Sequence, residues 1–196
     1  MTVVPADGHG LAGFEGKLPC RGDFVGRGLP RGFLTPWTAW VEAALAASRA
    51  SLGETWVEAW LEAPIWCFTL PGGLAGPDAV AGLLMPSVDK ADRHYPLTLA
   101  CVFPAVSAAP DQTAVAPWLA EAEALAREAL AYDLEPDALA QRLTALEIPG
   151  HVPAADAAIA IWWTEGGPRV PAASLSLPSL PEAEQFAGML DGGGAV

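Results

Sequence analysis

A chain of 196 residues, 52% of them hydrophobic, is long enough to hide roughly 70% of its unfolded surface in a core of its own. Its formal net charge of −13 repels phosphate backbones and anionic membranes, which excludes non-specific nucleic-acid binding and leaves any basic contact to be local. No uninterrupted apolar run approaches the 18 or so residues of a bilayer span, so no membrane insertion is expected.

The N-terminus, Met1-Thr-Val-Val-Pro-Ala-Asp-Gly-His-Gly10, lacks the basic and apolar regions of a signal peptide, and a cytoplasmic setting is expected. Cys20, Cys67 and Cys101 are odd in number and widely spaced, the pattern of reduced thiols rather than of a disulfide framework.

Residues 12 to 20 read as a strand entering the Gly/Pro-punctuated segment from Gly13 to Pro30. That segment and Arg31 just after it hold Lys17, Arg21, Arg27 and Arg31, with one acid, Asp23, between Lys17 and Arg31. Phe14, Leu18, Phe24, Val25 and Leu29 supply apolar anchors, so the charges are expected to project from a constrained loop. Thr35-Pro36 reads as an N-cap followed by proline, and Trp37, Trp40, Val41, Ala44, Leu45 and Ser48 recur at helical spacing up to Gly53. A second helix is expected from Glu54 to Glu62, ended by Pro64.

Three strand-like segments follow, Ile65 to Leu70, Ala79 to Met85 and Tyr95 to Phe103, in the order of an antiparallel meander. Helices are expected over Val115 to Tyr132 and Pro136 to Leu146, strands over 157 to 163 and Ser174 to Leu177, and a short helix over Pro181 to Leu190 before a mobile Gly-rich tail. Trp162 and Trp163 are strand neighbours and so point to opposite faces. Either one is exposed or both faces are covered, and the apolar residues on each side favour two covered faces. The fold class expected is α+β (mixed α/β), a mainly antiparallel sheet with helices packed on its faces.

Gly10-Leu-Ala-Gly-Phe-Glu-Gly-Lys-Leu18 imitates a phosphate-binding loop and fails it: Leu11 replaces the first glycine and Leu18 the hydroxyl that would bind magnesium. The Arg21-Gly22-Asp23 tripeptide is coincidental in a cytoplasmic protein. The loop Met85-Pro-Ser-Val-Asp-Lys-Ala-Asp-Arg-His94 carries Ser87, Asp89, Arg93 and His94. A Ser/His/Asp hydrolase or nucleotide-binding enzyme built on loops 16–31 and 86–94 is the alternative reading. No Gly-x-Ser-x-Gly elbow presents Ser87, however, and an Asp89–Arg93 ion pair closing the loop is the simpler account. His9 and His151 have no partners at metal-ligand spacing, so neither a metal nor a cofactor is expected.

These pieces together resemble the TagF (ImpM) family of type VI secretion-associated proteins. The resemblance rests on Gly13-Phe-x-Gly16-Lys-Leu-Pro19-x-x-Gly22-Asp-Phe24-x-x-Arg27-Gly-Leu-Pro30, then Trp37 and Trp40, then Met85-Pro-Ser-Val-Asp89 with Arg93 and Tyr95-Pro-Leu-Thr98. Ile161-Trp-Trp-Thr164, Gly166-Gly167 and Leu180-Pro181 before Phe186 complete it. Lys90 stands where arginine is usual, and Ala91-Asp92 where Val-Gly is. The resemblance implies a single domain over 1–196 with its core at about 11–190, a longin- or profilin-like arrangement, and no catalytic activity. It also implies a cytoplasmic accessory protein that regulates type VI secretion after translation, typically as a negative regulator acting on a forkhead-associated scaffold protein. The partner-binding residues expected are Lys17, Arg21, Asp23, Arg27, Arg31, Ser87, Asp89 and Arg93, on one composite surface in which Asp23 or Asp89 is tied to Arg21, Arg27 or Arg93.

Overall fold

The computed structural model describes residues 10–193, so His9 and the flexibility expected of residues 1–9 and 194–196 lie outside the described residues. Seven strands form one sheet in the order β2-β1-β5-β4-β3-β6-β7, each pair antiparallel. They are β1 Leu11–Gly16, β2 Val25–Arg27, β3 Trp66–Leu70, β4 Ala79–Met85, β5 Leu97–Phe103, β6 Ala160–Thr164 and β7 Ala173–Leu177.

The central strands β3, β4 and β5 are buried along their whole length, because period-two alternation sends apolar side chains to both faces. Phe68, Leu84, Val102 and Trp162 pack with helices α1 (Arg31–Leu52), α2 (Trp56–Glu62) and α5 (Ala183–Asp191). Cys67, Leu83, Leu99 and Phe103 pack on the other face, with α3 (Gln112–Ala131) and α4 (Pro136–Thr144). The mixed α+β class and the central meander are therefore as the sequence indicates. Trp162 is fully buried among Trp37, Trp40 and Phe68, while Trp163 is half-buried beside α3.

Several boundaries differ from the sequence reading. Helix α1 begins at Arg31 rather than after Thr35, because the amides of Phe33 and Leu34 already donate to the Pro30 carbonyl at 3.1 and 3.0 Å. Phe33 then joins the core stripe, stacked on Trp37 with ring centroids 5.3 Å apart. Pro36 consequently sits inside the helix and cannot donate to the Gly32 carbonyl. That oxygen is covered by Gly76, where a Cβ would come within 2.3 Å of it, so only glycine fits.

Helix α3 starts at Gln112, ahead of Val115, because the Asp111 side chain caps it by accepting from the amides of Thr113 and Ala114. The second helix opens with a 3-10 turn, Gly53–Thr55, before Trp56. Strand β5 starts after Pro96, which has no amide to give, while the Tyr95 amide donates to the Ser87 carbonyl. Residues 157–159 form a turn rather than the start of β6, the Ile159 amide donating to Asp156.

Register brings the two polar loops together. Gly16, at the end of β1, pairs with Leu97, and Leu97 also pairs with Met85 at the end of β4. The chain segments following Gly16 and Met85 thus leave the sheet at one end, on either side of the start of β5. Gly16 makes the junction possible: its φ is +140°, and a Cβ there would meet the Pro96 carbonyl at 2.1 Å.

Candidate functional site

The segment after Gly16 is a hairpin rather than a free loop, since β2 pairs back on β1 with Phe14 opposite Arg27. Leu18 and Leu29 anchor it in the core. Phe24, one of the five apolar anchors expected, instead stands 55% exposed. It is held edge-on to Tyr95 with ring centroids 4.7 Å apart, and the Lys17 ammonium lies 4.4 Å from its ring centroid.

Lys17 itself does not project. It is buried, and its ammonium donates to the carboxylate of Asp89, whose side chain is wholly buried. Asp89 also accepts from the Arg93 guanidinium at 2.8 Å and from the amides of Ala91 and Arg93 at 2.8 and 3.0 Å. Burial by itself would raise this carboxyl, but the hydrogen bonds from Lys17, the two amides and the Arg93 side chain outweigh it and hold Asp89 well below the usual carboxylate range. Sequence reasoning anticipates the Asp89–Arg93 pair; the second cation, Lys17, it does not.

Ser87 closes the joint between the loops. Its hydroxyl donates to the Lys17 carbonyl at 2.8 Å, and its own carbonyl accepts from the Trp60 indole at 3.1 Å. The Lys90 amide donates to the Arg21 carbonyl at 3.1 Å. The two loops therefore do form one composite structure. Among the described residues no hydrogen bond joins Ser87 to His94, whose ring instead meets Trp56 edge-on at 5.4 Å. Burial and the neighbouring Arg49 push the His94 imidazole below its ordinary pKa.

The remaining residues singled out from the sequence are dispersed around this centre. Arg21 pairs with Glu135 just before α4, and Arg27 with Asp137 in its first turn at 3.0 Å. Both pairs are solvent-exposed, a setting in which ion pairs contribute little. Arg31 and Asp23 are exposed, and Asp23 is not tied to any arginine among the described residues. No group of three or more His, Cys, Asp or Glu side chains comes together to hold a metal among the described residues.

Glu15, which the sequence did not single out, lies beneath this structure on β1. It accepts from the Tyr95 hydroxyl at 3.4 Å and the Thr38 hydroxyl at 3.5 Å, while its second carboxylate oxygen is buried without a partner. Burial, opposed by those two hydrogen bonds and reinforced by Glu42, raises its pKa. A raised carboxyl favours the protonated fold, so stability is lost as pH rises through the folded value. Glu15→Gln is accordingly expected to raise the melting temperature at neutral pH, with the gain vanishing below about pH 4, where the carboxyl is protonated in both states. Thermal melts of both proteins across that range check it.

The sequence matches the family described as the TagF N-terminal domain, type VI secretion system-associated, over residues 13–146. The chain belongs to the TagF family. The matched span begins within β1 and runs just past α4, so both loops of the composite site fall inside it. The architecture is similar to that of PA0076 from Pseudomonas aeruginosa PAO1, whose crystal structure matches with a TM-score of 0.85 and 34% sequence identity. That likeness covers 94% of this chain and 96% of PA0076, so it reaches beyond the family span. No curated protein matches the sequence. Among the described residues no helix is long and apolar enough to cross a membrane.

Proposed function

We propose that this protein acts in type VI secretion by binding rather than by catalysis, as a single-domain cytoplasmic negative regulator that holds secretion in check after translation through contact with a forkhead-associated scaffold protein. The observation that carries the reading is the family match over residues 13–146, which contains every residue of the composite site. The local chemistry is consistent with it. The Ser87 hydroxyl is committed to a backbone carbonyl and Asp89 to two cations, which is the use of polar groups to shape a surface.

In this reading Lys17, Ser87 and Asp89 brace the site from inside, and Arg21, Asp23, Arg27, Arg31 and Arg93 present it. The test is capture of partners by the tagged chain from its own bacterium, in which the forkhead-associated scaffold is expected among the retained proteins. Arg27→Glu with Arg31→Glu is expected to weaken that binding about tenfold at low salt and less at moderate salt, because rim charges act through a screened field. The melting temperature should stay within about 2 °C, since exposed pairs are worth under about 1 kcal/mol. Scaffold binding that survives the double reversal unchanged removes this face from the contact, and absence of the scaffold from the wild-type capture removes the partner.

A further inference from the structure

A groove of about 760 Å³ opens beside the composite site, between the C-terminal half of α1, the start of α2 and residues 92–95. Its apolar lining includes Leu45, Trp56 and the exposed side chains of Phe24 and Val57. Phe24 is fixed in that outward position by Tyr95 and Lys17, so a large apolar surface is presented to solvent by a braced hairpin.

The charges of the groove are unusual for this chain. Seven of its ten Lys and Arg side chains are spent on ion pairs; among the described residues Arg31, Arg49 and Lys90 form none. Arg49 is one of the groove's walls. Its guanidinium carbon lies 4.3 Å from the Trp56 ring centroid, and its hydrogen bond, at 3.4 Å, goes to the His94 carbonyl. Arg93 is a second wall, and it shares the single carboxylate of Asp89 with Lys17, leaving one positive charge of that triad uncompensated.

Two acids also line the groove, Glu42 and Asp92. Glu42 lies two turns back along α1, roughly 10 Å from Arg49 by helical rise. Because these two acids balance the two surplus positive charges, a bare anion gains little here; a ligand must bring apolar contact together with its negative charge.

We propose that this groove docks an extended segment of a protein partner in which an aromatic or large aliphatic side chain stands beside a carboxylate. The apolar group rests on the exposed Phe24 and Val57, above the buried Leu45 and Trp56 that floor the groove, and the carboxylate takes the free donors of Arg49 and Arg93, whose planar forks suit it. Glu42 sets the direction by rejecting a second carboxylate at the far end. The inference rests on the reading that the protein acts by binding a protein, and it adds the chemistry of what is bound.

Selection of short random peptides displayed on phage against the immobilised full chain tests it without any assumption about the scaffold. Enriched peptides are expected to pair Asp or Glu with an aromatic or aliphatic residue, and to lose about tenfold or more in affinity on Arg49→Glu or Val57→Asp. They should also shift the Trp56 indole signal in nitrogen–proton correlation spectra. Both substituted side chains are exposed, so folded variants are expected, with circular dichroism as the control. Enrichment of peptides without acids, affinity indifferent to both variants, no enrichment at all, or a groove filled by a second copy of this chain in a dimer that Val57→Asp dissociates would each overturn the proposal. Capture of the scaffold by wild-type protein, with binding indifferent to Arg49→Glu, would leave the proposed function standing and remove only the groove.

Discussion

Lys17→Met is expected to destabilise the protein by about 3 kcal/mol, because it takes the buried ammonium from a wholly buried carboxylate and leaves the half-exposed Arg93 guanidinium as its remaining cation. Lys17 and Asp89 are joined across 72 residues of sequence, and their contact ties the β1–β2 hairpin to the β4–β5 loop. Methionine keeps most of the volume, so the loss reports the charge rather than a cavity. For a chain of this size the melting temperature should fall by about 10 °C. Arg93 remains on Asp89 in the variant, which is why the fold survives for measurement.

The sign of the pH dependence follows from Asp89. Its carboxyl is held below the usual range in the fold, so the stability it contributes is complete above the unfolded value of about 4 and is lost as pH falls through the lower folded value. The gap between wild type and Lys17→Met should therefore narrow as pH drops below about 4. Urea unfolding at neutral pH and at about pH 3 checks both statements. A gap that stays constant, or a loss under about 1 kcal/mol at neutral pH, would mean that the pair is incidental.

What could be read from the sequence and what could not divide by the range of the interaction. The stripe Trp37, Val41, Ala44, Leu45 and Ser48 recurs at helical spacing, and all five are buried on α1. The apolar runs of β3, β4 and β5 likewise declare buried strands, since burial on both faces leaves few polar positions, here Thr69 and Thr98. By contrast β2 is three residues long and includes Gly26, so local propensity argues against it, and only pairing with β1 makes it a strand.

The site shows the same division. Asp89 and Arg93 are four residues apart and legible as a pair. Arg21 and Arg27 find their acids 114 and 110 residues away, where α4 packs against β1 and β2. Lys17 looked like part of an exposed basic cluster because composition is blind to direction. Its one local signal is position: it sits between Gly16 and Leu18, where the chain turns inward at the end of a buried strand. The groove was not legible, because Arg49 closes α1 and Trp56 opens α2, and only the turn at Gly53 brings them into contact.

Trp37→Ala is expected to cost about 3–5 kcal/mol, because it removes a large fully buried side chain and leaves a cavity that rigid neighbours cannot fill. Those neighbours are themselves aromatic: Phe68 lies 4.8 Å away, Trp40 4.9 Å, Phe33 5.3 Å and Trp162 6.2 Å between ring centroids. Planar rings close a void poorly. The substitution also orphans the Thr98 hydroxyl on β5, to which the Trp37 indole donates at 3.1 Å. Trp37→Phe separates the two contributions: it keeps most of the packing and loses the hydrogen bond, for a cost of about 1–2 kcal/mol. The expected fall in melting temperature for Trp37→Ala is about 10–15 °C, and near-ultraviolet circular dichroism should lose intensity as the coupled indoles of Trp37, Trp40 and Trp162 decouple. Helix α1 carries Trp37 near its start and Arg49 near its end, so peptide binding at the groove should weaken along with stability in the alanine variant but persist in the phenylalanine one. A loss under about 1 kcal/mol for Trp37→Ala would show that α1 is held to the sheet elsewhere, through Val41 and Leu45, and that the aromatic cluster is not the centre of this core.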